Sequence, residues 1–460
     1  MRQARRKRRS RSDTCGATLM KTAKRDSIAI ALQAGIPVLI MGEPGIGKSR
    51  WVEGLGNQLG VPVETLIGAT LLPEDIGGIL APNGEYILPG WFRRLQAAGR
   101  GILFLDELTC AAPSVQAALL RLVADKALQG EKLPPGVCII ASANPADQAA
   151  GGWDLAAPLA NRFCHLAWEP DPVEWSREFV NGFVGIKSPI LPDNWTDKLL
   201  EAKAMVSAYI RKNPVELQKF PKAIDQQSGP WPSARTWDYT ATVLAAHKAV
   251  GADDTAAVVG LVGEGTGLQF LSWRNEMSLP DPEAVLANPE LLPKREDQAF
   301  VTLIAVASSA VSQGELKTWQ RAWAVLGVAA QRGLTDVAAP AAMLLADEKN
   351  KPAKAPAPKE AAAFLPLWIA SGNVSINGGA HASLGNSAGQ IAKETVQSRR
   401  EDRRGLHGLE HAGQSPPRHD TVRIRVSPQA NKAEQTAIGG IEQPSLDVAQ
   451  KQQSRRGIRI

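Results

Sequence analysis

Five short apolar runs punctuate the first third of the chain: Val38 to Met41, Val63 to Ile67, Gly101 to Leu105, Val137 to Ala141 and Phe163 to Leu166. They are continuous rather than alternating, which is what strands covered by helices on both faces require. Stretches with helical patterning separate them, so the order predicts a three-layer α/β domain around a mostly parallel sheet. After Pro170 the strand signals stop. Asn194 with Asp197 three positions later marks a helix start, and Leu199, Ala202, Val206 and Ile210 then recur at helical spacing. Helical patterning runs to about Met277 and resumes from Leu279 to Asp347, clearest over Val301 to Val311 and Trp319 to Ala330. The expected organisation is a basic arm at 1–20, the α/β domain at 21–170, a helical domain at 171–278, a helical extension at 279–348, and a linker with a disordered basic tail at 349–460. That last part opens on the Pro/Ala/Lys-rich stretch 349–360 and continues with few large apolar residues.

Charge changes this picture only at the ends. A pI near 9.1 first suggests a nucleic-acid or membrane partner. Yet residues 1–11 carry seven basic and no acidic side chains, and residues 371–460 carry thirteen basic against eight acidic ones. The two ends outweigh the whole chain's +6, leaving residues 12–370 at −6. Basic arms of this kind permit a nucleic-acid contact without favouring it over solvated tails. The longest uncharged apolar stretch, 27–42, is broken by Gly35 and Pro37 and falls short of the roughly 20 residues a membrane span needs, so no membrane partner is expected. Cys15, Cys110, Cys138 and Cys164 show no paired spacing, which fits a reducing cytoplasm. His407 and His411 lack carboxylate or thiolate companions, so they are not expected to form a metal site.

Chemistry enters at residues 42–49, GEPGIGKS, directly after the first apolar run and before a helical stretch. This is the phosphate-loop pattern in the context it needs. Gly42, Glu43, Pro44, Gly45, Ile46 and Gly47 would wrap backbone N–H groups around an anion, Lys48 would reach the β- and γ-phosphates of ATP, and the Ser49 hydroxyl would ligate Mg²⁺. The third apolar run ends in Asp106 and Glu107, two acids at the carboxyl edge of a strand, where open α/β sheets bind ligands. Asp106 suits Mg²⁺ coordination and Glu107 suits polarising an attacking water. The fourth run leads into Asn144, which can hold that water or the γ-phosphate, or serve as a turn residue before Pro145.

GEPGIGKS, ILFLDEL, ASANP and LAAPLANRF resemble, in order and spacing, the Walker A, Walker B, sensor 1 and arginine-finger segments of MoxR-type AAA+ ATPases, a group close to the dynein-related and chelatase-associated AAA+ proteins. The resemblance covers about Thr22 to Pro170 well. Pro73 to Gly78, followed by Ile79 to Leu88 around Asn83-Gly84, is similar to the hairpin insertion of this clade, and Asn-Gly is a hairpin signal in its own right. The resemblance implies a P-loop domain followed by an α-helical lid and a helical C-terminal extension. It implies that Arg162 points into a neighbouring subunit's ATP site, although the MoxR pattern has Asp where this chain has Asn161. Ser233 can cap a helix that places Arg235 in its first turn, where a cation opposes the helix dipole; a sensor 2 contact with an ATP phosphate removes that misfit. The expected function is therefore Mg²⁺-dependent ATP hydrolysis by a ring, hexameric in the resembling proteins, that remodels or matures a protein client, with a von Willebrand factor A domain protein as one partner class. Two other readings stand beside it: a nucleic-acid-stimulated motor using the basic arms, and a nucleotide-gated scaffold with negligible turnover.

Overall fold

The computed structural model describes residues 24–145, 152–182, 187–353 and 355–370. Strands β1 (Val38–Met41), β2 (Val63–Ile67), β3 (Arg100–Asp106), β4 (Gly136–Ala143) and β5 (Cys164–Ala167) form one parallel sheet in the order β2-β3-β4-β1-β5. Helices α1 (Lys48–Leu59), α2 (Gly90–Ala98) and α3 (Pro113–Asp125) make the crossovers. The continuous apolar runs are explained by the pleat. Val38, Ile40, Ile102, Phe104 and Ile140 enter one buried cluster, while Leu39, Leu103, Leu105, Ile139 and Ala141 enter another on the opposite face. Helices on both faces thus complete the three-layer P-loop architecture.

Beyond β5 the described chain is helical. Its main elements are α4 (Leu199–Lys212), α5 (Ala234–Val250), α6 (Thr255–Val262), α7 (Glu264–Asn275), α8 (Glu296–Gln313), α9 (Leu316–Gln331) and α10 (Thr335–Ala346). Helix α6 covers the edge strand β5 so closely that a Cβ at Gly260 would run into the His165 carbonyl. Helix α8 packs on α4 and α10, so one apolar cluster runs unbroken from Ile28 through the sheet to Trp368.

Two local expectations meet a different outcome, a third is met, and one element was not expected. Asn194 precedes a short 3₁₀ turn, Trp195–Lys198, but its side chain makes no capping bond. The stretch 355–370 is not linker: Ala355, Ala361, Phe364 and Trp368 are buried, and Phe364 meets Trp323 at 6.2 Å between ring centroids. Its many prolines and alanines hide small apolar residues that fill the face of α9, where Glu360 lies against Gly327. The expected hairpin pairs Ile79–Leu80 with Tyr86–Ile87, but a second one, Ala127–Leu128 with Glu131–Lys132, has no Asn or Asp to announce it. Gln129 and Gly130 both take positive φ there, at 45° and 91°. Cys15, His407, His411 and both basic ends lie outside the described residues.

Candidate nucleotide site

The loop of residues 42–47 joins β1 to α1 at the carboxyl edge of the sheet, between the ends of β4 and β5. Gly45 and Gly47 hold φ of 78° and 88°, which a side chain would strain. Helix α1 begins without a side-chain cap and without an acid in its first turn. Its leading N–H groups and the positive end of its dipole are therefore not claimed by a neighbouring side chain, an arrangement that suits a polyanion.

Lys48 is buried, and its ammonium donates to the carbonyls of Gly42 (2.6 Å) and Glu43 (2.9 Å) and to Asn144 Oδ1 (2.8 Å). Burial holds its pKa below the ordinary lysine value, opposed by the nearby charges of Asp106 and Glu107. Ser49 Oγ donates to Asp106 Oδ2 at 2.8 Å, and Ser142 donates to Asp106 Oδ1. The backbone N–H of Glu107 faces Asp106 Oδ1 (3.1 Å) and Ser142 Oγ (3.3 Å). Glu107 itself sits in the left-handed region at φ 54°, a strained place for a glutamate that directs it away from the strand line.

This donor set fits a nucleotide with its magnesium. Among the described residues no three His, Cys, Asp or Glu side chains gather into a metal cage. A hydroxyl bonded to a carboxylate is the sparse protein contribution Mg²⁺ accepts when phosphate oxygens and water supply the rest. Ser49 and Asp106 provide that pair.

The remaining predicted side chains stand apart from this cluster. Asn161, 2% exposed, accepts from Ser233 Oγ (2.7 Å) and donates through Nδ2 to the Trp231 carbonyl (3.0 Å). Ser233 caps α5 by accepting from the Thr236 N–H, which leaves Arg235 in the first turn as expected. Arg162 donates to the Pro158 carbonyl, while its buried Nε has no hydrogen-bond partner. Burial and then the neighbouring Arg235 charge lower its pKa, with Tyr239 and Asp125 opposing. The charges acting on Lys48 are Asp106 and Glu107; those acting on Arg162 are Arg235, Tyr239 and Asp125. The structure thus brings Lys48, Ser49, Asp106, Glu107 and Asn144 together, while Arg162 lies within electrostatic reach of Arg235.

Residues 37–163 match the family model "AAA domain (dynein-related subfamily)". The denitrification regulatory protein NirQ of Stutzerimonas stutzeri is 33% identical over 128 residues, which is 26% of this chain and 46% of NirQ. The chain's match therefore spans less than half of that relative's length. A solved structure of a candidate ATPase from Cytophaga hutchinsonii aligns over 58% of this chain and 87% of its own, with 17% identity and a TM-score of 0.34. The matched stretch holds each of the four motifs that carried the sequence resemblance.

Two buried residues that organise this region were not picked out as functional from sequence. Ser142 is 1% exposed and orients both Asp106 and the Glu107 backbone, yet in ASANP it looks like any small residue of a buried strand. Asn161 was noted only as a departure from Asp, and its partners lie 70 and 72 positions further along the chain.

Proposed function

We propose that this chain hydrolyses ATP with Mg²⁺ as a subunit of a ring, and that the ring remodels or matures a protein client in the cytoplasm. The observation that carries the hydrolysis reading is the bonded set Lys48, Asn144, Ser49, Asp106 and Ser142, with the Glu107 carboxylate one residue beyond. The loop N–H groups and Lys48 bind the phosphates, and Ser49 with Asp106 holds the metal, which neutralises phosphate charge when bound. Glu107 takes the proton of the attacking water, a contribution worth roughly 10² to 10⁴ in rate. Asn144, which bonds Lys48 across the sheet edge, fixes the ammonium's direction.

The ring reading rests on the second group. The Arg162 guanidinium has a buried Nε without a hydrogen-bond partner and feels the charge of Arg235. Two cations within reach of each other are unfavourable unless an anion from outside meets them. A neighbouring subunit's triphosphate supplies one, and trans-acting arginines of this kind are worth roughly 10³ to 10⁵ in turnover.

Phosphate release and sedimentation in ATP and Mg²⁺ test the proposal. Wild type is expected to assemble and turn over, and Glu107→Gln to assemble, bind ATP and lose turnover by about 10² or more. Mixing Lys48→Ala with Arg162→Ala subunits, each inactive alone, is expected to restore activity, because some interfaces then carry both intact halves. Equal phosphate release from wild type and Glu107→Gln overturns the hydrolysis reading. A chain that stays monomeric, or mixtures that stay inactive, overturns the ring.

A further inference from the structure

Trp168, the residue after β5, touches the phosphate loop at both ends. Its N–H donates to the Met41 carbonyl at 2.7 Å, extending the β1–β5 ladder one step beyond the strand. Its carbonyl lies 2.7 Å from where a Cβ on Gly42 would sit, so the loop's first residue has room only for glycine. Its indole Nε1 reaches over the loop and donates to the Ile46 carbonyl at 3.3 Å. The backbone of one residue therefore fixes where the loop begins, and its side chain fixes the crest.

The indole is itself held from two sides. It is 4% exposed and lies 5.0 Å from Trp51 of α1, the helix the loop feeds. Above it, the Arg25 guanidinium sits 4.6 Å from a ring centroid. Arg25 is in turn anchored by Glu174 (3.2 Å) and Glu178 (3.0 Å) on the helix Pro172–Val180. A largely desolvated cation over an indole face is a directional contact, and the two carboxylates keep the cation there.

We infer that Trp168, clamped by Arg25, is a positioning residue that sets the phosphate loop in the shape that grips a nucleotide. The inference rests on the nucleotide-binding reading above. Mere packing would need only an aromatic ring; the donated bond to Ile46 needs the indole nitrogen. The two roles separate in Trp168→Phe, which keeps a ring against Trp51 and Arg25 and loses the donor.

The test is calorimetric titration of Mg·ADP into the full-length chain, with steady-state ATPase kinetics and thermal unfolding without nucleotide. Trp168→Phe is expected to weaken Mg·ADP binding by about fivefold, the equivalent of one net hydrogen bond. KM should rise by a similar factor, kcat should stay within about twofold, and the unfolding midpoint should hold. Arg25→Gln is expected to weaken binding in the wild-type background and to add nothing in Trp168→Phe. Wild-type affinity in Trp168→Phe, or fully additive losses in the double variant, overturns the inference while leaving the nucleotide reading intact. A wild-type chain that fails to bind Mg·ADP overturns both.

Discussion

Replacing Asn161 by Asp changes one atom's chemistry where the residues before β5 meet those that lead into α5. Asn161 Oδ1 accepts from Ser233 and would survive as a carboxylate oxygen, but Nδ2, which donates to the Trp231 carbonyl at 3.0 Å, would become a second anionic oxygen facing that carbonyl. At 2% exposure no solvent relieves the clash. One bond is lost, worth about 1 kcal/mol, and a charged oxygen is buried against a carbonyl to which Thr236 Oγ1 still donates at 3.2 Å, costing about 1–3 kcal/mol more, so Asn161→Asp should destabilise by about 2–4 kcal/mol at neutral pH. Protonation turns that oxygen back into a donor. The folded-state pKa of the new carboxyl is therefore raised above its usual value near 4, because burial against a carbonyl disfavours the charged form. The sign follows: the penalty is full above the raised pKa and fades as pH falls through it. Urea unfolding of variant and wild type, followed by tryptophan fluorescence at pH 7.5 and pH 5, measures both parts. A variant as stable as wild type at pH 7.5, or a deficit that does not shrink at pH 5, refutes the reasoning.

Ser142→Ala removes the hydroxyl that links Asp106 to the Glu107 backbone, and ATP turnover should drop about five- to thirtyfold for a loss of about 1–2 kcal/mol; unchanged turnover over a Mg²⁺ titration rejects that role. Gly42→Ala would place a Cβ 2.7 Å from the Trp168 carbonyl and 2.9 Å from Ile46 Cδ1, so nucleotide binding should fail and stability fall by about 1–3 kcal/mol, as thermal shift with and without Mg·ADP would show. His165 is pushed down to about 4 by burial, with the Ala160 carbonyl 2.8 Å from Nε2. An unfolded histidine titrates near 6.5, so the neutral ring's contribution is full above that pH and is lost as pH falls toward 4, at up to about 1.4 kcal/mol per unit; His165→Asn should flatten this slope in urea titrations from pH 7 to 4.5.

The sheet and the nucleotide loop could be read from sequence because both are local. A strand covered on both faces must be apolar at successive positions, and a phosphate loop needs its glycines, Lys48 and Ser49 within eight residues. Asp106 and Glu107 were legible because two acids ending a buried run are conspicuous. What escaped depends on distance along the chain. Ser142 matters only because β3 and β4 are neighbours, Asn161 because Trp231 and Ser233 fold back onto it, and Trp168 because β5 lies beside β1. Arg162 and Arg235 were both picked out, but nothing in their spacing of 73 positions told that the charge of one would act on the other. The burial of Phe364 and Trp368 was masked by the proline-rich stretch before them.

The unbroken apolar cluster from Ile28 to Trp368 has a mechanical meaning. Apolar contact is continuous from the sheet to the last described helix, so a displacement begun at the phosphate loop would be passed on through packed side chains. Cutting it at residue 348 would remove Phe364 from Trp323 and bare that indole to solvent, so a shortened chain would lose part of its core along with its last helix.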